Sequence, residues 1–243
     1  EYTSPEAGMA DYRLYAGKPV VIKPKSTNFG LGITILKHNY DETDFKAALQ
    51  IAFEHDNTVL IEKFIPGREF RIFIINDEVV GILHRVPANV TGDGVLNIGQ
   101  LIDRKNEDPL RGKGYRTPLE KIRKGREEEM FLKQQGMDFN TVPKEREVVY
   151  LRENSNISTG GDSIDFTDDI DDSYKAIAVE AAKALNVKIT GLDMMIQDIH
   201  APATPDNYAI IEMNFNPAIH IHCYPFKGKN RHLNHKMIKA LGF

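Results

Sequence analysis

The segment IIEMNFNP, from Ile210 to Pro217, carries a polar side chain at every second position of an apolar strand pattern. Side chains on a strand point alternately to its two faces. We therefore expect Glu212, Asn214 and Asn216 to share one face of a β-strand and to serve a polar function there. The apolar residues expected to pack against a core on the opposite face are Ile211, Met213 and Phe215.

A second apolar strand pattern, GLDMMIQDI, carries a carboxylate at Asp193. An aspartate in the middle of an apolar strand costs free energy unless it is paired or ligates a cation. Oxygen ligands from neighbouring strands suit Mg²⁺, particularly where the ion also contacts nucleotide phosphates. Asp193, Glu212 and Asn214 are thus candidate metal ligands, and a buried hydrogen-bond network is the alternative.

Near the N-terminus, VVIKPKSTNFGLGITIL joins two predicted strands through a glycine-containing loop. Lys23 and Lys25 share a strand face and precede Gly30 and Gly32. Glycine lets backbone N–H groups approach an anion, and lysine supplies a point charge for phosphate. The spacing is not that of a P-loop, and the loop leads into a strand where a dinucleotide-binding fold would have a helix. A hairpin that covers phosphates and a plain glycine-containing hairpin both fit this pattern.

The segment IEKFIPGREFR, residues 61–71, ends a strand at a Pro-Gly turn. Backbone groups beside Ile65 are therefore free to contact an adenine edge. Glu69 is a candidate for binding ribose hydroxyls, and Arg71 and Arg85 are candidates for binding phosphates. A charged solvent face on an antiparallel sheet is the alternative.

The composition is that of a globular protein with 243 residues and a formal net charge of −4, which argues against a general nucleic-acid binder. Basic residues between Lys105 and Arg126 precede three glutamates, a pattern typical of a solvated mixed-charge helix. A single cysteine, Cys223, excludes an intrachain disulfide and favours a reducing compartment, so we expect a cytoplasmic protein. No apolar run has the length of a membrane span.

Several histidines surround this cysteine, but their spacing is not typical of a zinc site. Nothing marks the thiol as an activated nucleophile. The residues of this group are His220, His222, Cys223, His232 and His235.

Hydrophobic periodicity predicts a mixed, mostly antiparallel α+β fold without regular strand–helix alternation. A helix capped by Asp41 is expected over 41–56, and three antiparallel strands joined by turns over 58–86. TPLEKI, from Thr117, has the spacing of a helix N-terminus. A polar loop is expected over 154–169, and helices over 172–187 and 231–241.

A lysine-bearing strand, a glycine loop, an E-K-F-I segment, an aspartate strand and an E-x-N strand follow one another here. In this order the chain resembles the ATP-grasp superfamily of carboxylate–amine ligases from about Pro19 to about Pro225. HRVPANVTGDG (84–94), VVYLRENSNISTGGD (148–162) and GLDMM are similar to the branch containing cyanophycin synthetase and the glutathione synthetase module of bifunctional glutathione-forming enzymes. The ending NFNPAIHIHCYPFKGKNRHL looks more like the latter.

The resemblance implies an ATP-grasp fold, in which two α+β lobes with mostly antiparallel sheets enclose the nucleotide. Residues 1–64 would form an incomplete N-terminal lobe with the glycine flap. Residues 65–243 would form the C-terminal lobe, which carries the metal and substrate groups.

The resemblance also implies roles for individual positions. ATP phosphates are assigned to Lys23, Lys25 and the flap from Ser26 through Gly30 to Gly32. Adenine is assigned to Glu62, Lys63 and Ile65, and ribose to Glu69. The catalytic arginines, facing the transferred phosphate and the acyl intermediate, are Arg85 and Arg152. Two Mg²⁺ or Mn²⁺ ions are assigned to Asp193, Glu212 and Asn214. Substrate is assigned to Ser158, Thr159, Gly160, Gly161 and Asn216.

The implied reaction forms an amide at the expense of ATP. The C-terminal carboxylate of γ-glutamylcysteine attacks the γ-phosphate, and the amine of glycine displaces phosphate from the resulting acyl phosphate. Positioning and charge neutralisation supply most of such catalysis. A cyanophycin synthetase-like amino-acid ligase, a non-catalytic nucleotide-binding module and a purely structural domain are the alternatives.

A preceding substrate domain and an earlier strand with a phosphate-binding lysine, usual in such ligases, are not recognisable in the sequence. We therefore expect a longer polypeptide with an upstream glutamate–cysteine ligase domain, and an isolated fragment that binds nucleotide poorly or is inactive. The sequence leaves open whether the protein forms a homo-oligomer.

Overall fold

The computed structural model describes residues 1–27, 31–37 and 39–242, and the chain forms two compact units, Glu1–Pro66 and Gly67–Phe243. The boundary falls at the Pro66-Gly67 step, close to the predicted lobe boundary after residue 64. None of the helices in the described ranges is both long and apolar enough for a membrane crossing.

The first unit packs helices against a three-stranded antiparallel sheet of order β2-β1-β3. Its helices are α1 (Pro5–Ala10), α2 (Tyr12–Tyr15) and α3 (Glu42–Phe53). Its strands are β1 (Val20–Pro24), β2 (Thr34–Leu36) and β3 (Val59–Lys63).

Helix α3 forms where its cap and its apolar spacing predict it. The Asp41 carboxylate accepts hydrogen bonds from the backbone N–H groups of Thr43 and Asp44, which have no partner inside the helix. Its apolar stripe is buried against the β1 and β3 residues of the core. The buried residues of this core are Val20, Ile22, Phe45, Ala48, Leu49, Ala52 and Val59. The predicted cap and helix are therefore confirmed.

The second unit is built on a five-stranded antiparallel sheet of order β10-β5-β4-β11-β12. Two further pairs are β6 with β9 and the parallel pair β7 with β8. Its helices are α4 (Ile98–Lys105), α5 (Arg126–Gln134), α6 (Asp172–Ala184), α7 (His220–Cys223) and α8 (Leu233–Ala240). Its strands are β4 (Arg68–Ile75), β5 (Glu78–Val86), β6 (Asn89–Thr91), β7 (Arg111–Gly112), β8 (Leu119–Glu120), β9 (Val148–Tyr150), β10 (Asp162–Asp165), β11 (Ile189–Ile196) and β12 (Tyr208–Asn214).

One face of the five-stranded sheet is apolar and packs against α6. Ile72 and Leu192 lie directly opposite each other on β4 and β11, and both are fully buried. Each contributes about 1.5–3 kcal/mol through burial of its side chain. Tyr174 and Ala178 of α6 complete this core. Because side chains alternate along a strand, the neighbours of Ile72 and Leu192 are turned to the opposite face, which carries charged residues such as Asp193 as well as a second apolar core around Phe73.

The predicted run of three antiparallel strands over 58–86 is wrong in one respect. Strand β3 pairs with β1 in the first unit, while β4 pairs with β5 in the second. The Pro-Gly step at 66–67 therefore joins two units and does not close a hairpin. Local turn signals cannot distinguish these two outcomes, because both require a break in the ladder.

The prediction of a helix beginning at Thr117 is wrong. Leu119 and Glu120 form a short strand, and α5 begins only at Arg126. The Glu120 carboxylate accepts hydrogen bonds from the backbone N–H groups of Gly114 and Tyr115, so it does not close a capping box.

The expectation of a solvated mixed-charge helix between Lys105 and Arg126 is also wrong. Lys105 ends α4, and Arg111 in β7 is buried. Part of the basic cluster thus belongs to the interior of the second unit.

Two details of strand placement also differ from expectation. Strand β10 lies inside the predicted polar loop and pairs with β5. In β12 only Met213, which contacts the α6 core, packs as predicted, while Ile211 is 41% and Phe215 92% exposed. Strand β12 is at the sheet edge, and a register shift between Asp193 and Met194 places Ile211 in a bulge.

Candidate active site

Three charged residues form a row across the face of the five-stranded sheet that is turned away from α6. Arg71 of β4 is the register partner of Asp193 of β11, and Asp193 is the register partner of Glu212 of β12. Residues directly opposite each other in antiparallel strands project from the same face. The predicted alternation therefore brings Asp193 and Glu212 to one side of the sheet, as the sequence indicates.

Two arginines bind the carboxylate of Asp193, which is 1% exposed. Arg71 forms a bidentate pair, with Nε close to Oδ1 and Nη2 2.8 Å from Oδ2. Arg85 Nη2 lies 2.9 Å from the same Oδ2 atom. A buried carboxylate requires such partners, because an unpaired charge in the interior is strongly destabilised.

The charge network continues to Glu69, which was predicted to bind ribose. Its carboxylate pairs closely with Arg85 and accepts a hydrogen bond from the Ser155 hydroxyl. Arg85 thus connects two carboxylates, from β4 and β11. The Arg85 guanidinium therefore lies beside the metal candidate Asp193. Its role at the transferred phosphate and the assignment of Glu69 to ribose stay predictions.

The remaining metal candidates lie at the open end of this row. Glu212 is exposed, and the side-chain amide of Asn214 donates to its Oε1 at 3.1 Å. Asn216 follows the end of β12 and is exposed. No three His, Cys, Asp or Glu side chains within the described residues converge as a metal-binding group. The predicted set contains two carboxylates and one carboxamide, an oxygen donor set that fits Mg²⁺ or Mn²⁺ completed by phosphate or water.

The predicted substrate loop precedes β10. Ser158 and Thr159 belong to a 3₁₀ turn (Ile157–Thr159), and Gly160 follows with a φ of 96°. Residue 161 leads into β10, where Ser163 is the register partner of Arg85. The sheet therefore places this loop at the end of the strand that neighbours Arg85.

In the first unit, a lysine predicted to bind ATP phosphates contacts a glutamate predicted to bind adenine. Lys23 Nζ lies 2.6 Å from Glu62 Oε2, and the two residues are on adjacent strands. Lys25 pairs with Glu1 at 3.0 Å, and the Ser26 backbone N–H donates to Asp56 at 2.7 Å. Lys23 and Lys25 are therefore held by carboxylates in this structure.

Two other residues assigned to the nucleotide, Gly32 and Ile65, lie in closely packed surroundings. Gly32 has a φ of 75°, and a Cβ atom there would lie 2.7 Å from Pro24 Cγ. Ile65 is buried, and Lys63 ends β3. Gly30 lies outside the described residues. The phosphate and adenine assignments of these residues stay predictions.

Comparison with known proteins shows which proteins the chain is similar to. The family described as "D-ala D-ala ligase C-terminus" matches residues 4–97. The chain is 62% identical over 242 residues to the glutathione biosynthesis bifunctional protein GshAB of Desulfotalea psychrophila, and 55% identical over 241 residues to that of Clostridium perfringens. These matches cover 100% and 99% of the chain and 31% of each relative.

A crystal structure of a bifunctional glutathione synthetase from Pasteurella multocida superimposes on 99% of the chain and 33% of that protein, with 47% identity and a TM-score of 0.75. The chain is similar to ATP-grasp ligases and has their fold. It spans about a third of the length of the relatives that it matches. The α+β ATP-grasp fold expected from the sequence is confirmed, and ligases of this family in general use ATP with divalent metal ions.

Arg152, the second predicted catalytic arginine, pairs with residues outside the Asp193 network. Arg152 Nε donates to Glu128 Oε1 at 2.6 Å, and its guanidinium also pairs with Glu127. Glu128 is 1% exposed, so this pair is part of the interior beside α5. The structure therefore brings Arg85, but not Arg152, to the candidate metal ligands.

Sequence reasoning missed a second buried charge cluster of the ATP-grasp chain. Arg111 and Lys105 both pair with Asp162, the residue that follows the predicted substrate loop. Burial lowers the pKa of Lys105 and of Arg111, while Asp162 opposes this shift. The available sequence signal was an aspartate, Asp162, directly after two glycines.

A surface cavity of about 700 Å³ adjoins this region and contains none of the predicted site residues. It is lined by Lys113, Glu120, Ile122 and Lys124, among others. A Cβ atom on Gly160 would lie 2.8 Å from Ile122 Cα, so one wall of the cavity packs against the substrate loop. We place the chemistry at the Asp193 network, because the cavity lacks paired oxygen ligands on neighbouring strands.

Proposed function

We propose that the polypeptide containing this chain is an ATP- and Mg²⁺-dependent glutathione synthetase that joins glycine to γ-glutamylcysteine through an acyl phosphate. Three relatives with 47–62% identity carry names that refer to glutathione synthesis. Because the chain spans only about a third of each, an upstream glutamate–cysteine ligase domain on the same polypeptide is part of this proposal.

The observation that carries the proposal is the row of charges on β4, β11 and β12. Asp193, Glu212 and Asn214 supply the oxygen atoms that would hold divalent metal ions. A bound metal ion would neutralise negative charge on the phosphate oxygens. Arg71 and Arg85 already fix the orientation of Asp193, and such fixed orientation of a ligand favours metal affinity.

The residues around this row would act by positioning and by charge. Arg85, between Asp193 and Glu69, would stabilise negative charge on the transferred phosphoryl group. The loop from Ser158 to Gly161 would hold the reacting carboxylate. In the first unit, Lys23 would bind ATP phosphates and leave its present partner Glu62.

The chemistry has two steps. A carboxylate oxygen of γ-glutamylcysteine forms a bond to the γ-phosphorus, and the bond to the β-phosphate oxygen breaks with release of ADP. The neutral amine nitrogen of glycine then attacks the acyl carbon, the bond between that carbon and the phosphate oxygen breaks with release of inorganic phosphate, and the nitrogen gives up one proton to solvent as the amide forms.

The decisive experiment is a substrate-pair screen for phosphate release with the full-length polypeptide. We expect ADP and phosphate only when ATP, Mg²⁺, γ-glutamylcysteine and glycine are all present. Turnover with arginine or aspartate on a poly-aspartate primer would replace this proposal by cyanophycin synthesis. Stabilisation by ATP without turnover of any pair would indicate a non-catalytic nucleotide-binding module.

A further inference from the structure

Arg111 connects three separate segments of the second unit. Its Nη1 donates to the backbone oxygen of Glu120 at 2.8 Å and to that of Gly160 at 3.0 Å. Its Nη2 pairs closely with the Asp162 carboxylate. The side chain is wholly buried. One guanidinium therefore holds both ends of the Gly160–Asp162 segment and fixes it to β8.

The loop that Arg111 contacts has little freedom to adopt another backbone conformation while these contacts persist. Gly160 has a φ of 96°, which is unfavourable for other residues, and a Cβ atom there would lie 2.8 Å from Ile122 Cα. A Cβ atom on Gly161 would lie 2.8 Å from the backbone oxygen of Val86. The loop is thus held between β8 and the end of β5, which carries Arg85.

The Asp162 carboxylate is itself fixed by a second cation. Lys105 Nζ lies 2.7 Å from Asp162 Oδ2, and the side-chain amide of Asn89 donates to the same atom at 2.9 Å. Lys105 and Arg111 also lie over the Phe226 ring, at 5.2 Å and 5.5 Å from its centre. Two cations and an amide therefore determine the orientation of the carboxylate that Arg111 binds.

Stability alone is a poor explanation for this arrangement. Buried ion pairs often contribute no more stability than apolar residues of similar size, because both charges lose their hydration. Within the described residues, Arg111 Nε also has no hydrogen-bond partner, which adds an unsatisfied buried donor. The specific consequence of Arg111 is the fixed position of the loop.

We propose that Arg111 is a positioning residue that holds the loop from Ser158 to Gly161 in the conformation that receives the acyl substrate. It acts through the backbone of Gly160 and does not touch substrate. The assignment of this loop to the acyl substrate rests on the proposed function, whereas the restraint on the loop does not.

The test uses the full-length polypeptide with Arg111→Met, Arg111→Lys and the control Arg231→Met. Arg231 forms a comparable multiple pair with Asp165 and Asp168 in the same unit, and among the described residues its side-chain partners lie outside the loop from Ser158 to Gly161. Lysine at position 111 keeps the charge for Asp162 but lacks the fork that reaches two backbone oxygens. Hydrogen exchange of the amides over 155–162 reports loop order without requiring activity.

We expect both Arg111 variants to accelerate exchange over 155–162 and to raise the KM for γ-glutamylcysteine at least about tenfold, with the KM for ATP changed less than about twofold. Arg111→Lys should recover the melting temperature but not this KM. Arg231→Met should leave loop exchange and both KM values near those of the wild type. Should Arg111→Met fail to fold, Arg111→Lys carries the test.

Unchanged exchange in a folded Arg111 variant would overturn the proposal. So would an equal rise of both KM values, because that would indicate a general structural effect. If the wild type turned over no substrate pair but Arg111→Lys still loosened the loop, the proposed function would fail while the restraint by Arg111 stood.

Discussion

Asp193 and Glu212 lie directly opposite each other on adjacent antiparallel strands, with both carboxylates on the face of the sheet that is turned away from α6. The two residues differ in environment, because Asp193 is buried beneath two arginines whereas Glu212 is exposed. We therefore expect substitution of Asp193 to change both stability and metal-dependent turnover, and substitution of Glu212 to change metal dependence alone.

Asp193→Asn should impair both folding stability and turnover. Removal of the charge leaves Arg71 and Arg85 without their shared carboxylate and should lower the free energy of unfolding by about 3 kcal/mol. Metal-dependent phosphate release should fall at least about a hundredfold. Both quantities are measured on the full-length polypeptide, by urea unfolding and by steady-state kinetics.

Asp165→Asn is the matched control for this change. Asp165 is also largely buried and pairs with an arginine, Arg231, away from β11 and β12. It should lose stability to a similar extent but retain turnover when corrected for the folded fraction. Equal losses of turnover in the two variants would contradict a metal role for Asp193.

Glu212→Gln should change metal dependence without changing stability. The side chain is exposed and its recorded partner is the Asn214 amide, so the free energy of unfolding should shift by less than about 0.5 kcal/mol. Loss of a residue that only orients a metal ligand costs about 10–100-fold in metal affinity. Loss of a direct ligand charge in Glu212→Gln should therefore raise the half-saturating Mg²⁺ concentration at least about tenfold. Glu180→Gln on α6, another exposed glutamate, should leave it unchanged.

Lys23→Met should weaken ATP binding. A lysine–phosphate hydrogen bond contributes about 1.5–3 kcal/mol, which corresponds to roughly a tenfold to hundredfold rise in the Kd for ATP. Equilibrium binding to the full-length polypeptide measures this value. Lys18→Met is the control, since Lys18 donates to the backbone oxygen of Leu14 on the surface of the same unit. An unchanged Kd in Lys23→Met would exclude Lys23 from the phosphate site.

Local sequence patterns predict those helices and strands whose geometry is determined within one continuous segment of the chain. Alternation along β12 placed Glu212 and Asn214 on one face, and the cap at Asp41 located α3. Both features arise from the geometry of a single strand or helix, which repeats every few residues.

Contacts between distant segments were not predictable in this way. Arg71 and Asp193 are 122 residues apart in the chain, and Arg111 and Asp162 are 51 apart. No periodicity encodes such pairs, so the sequence pattern predicts a solvated position for Arg111. The bulge in β12 likewise depends on pairing with β11, and it exposes Ile211 against the predicted alternation.

The final prediction concerns acid sensitivity. His222 is fully buried against Phe73, and burial, with a smaller contribution from Arg71, lowers its pKa to about 3; Asp165 acts in the opposite direction. Between its ordinary pKa near 6.5 and this value, the unfolded chain binds a proton that the folded chain does not. The contribution of His222 to the free energy of unfolding is therefore fully present above about pH 6.5 and is lost as the pH falls below this value.

Removal of this group should flatten the dependence of stability on pH. Wild-type protein should lose about 2 kcal/mol more than His222→Leu between about pH 7 and about pH 5, measured as the free energy of unfolding in urea. Parallel slopes for wild type and His222→Leu would mean that His222 titrates normally in the folded chain, which would require solvent or a hydrogen-bond partner to reach its ring.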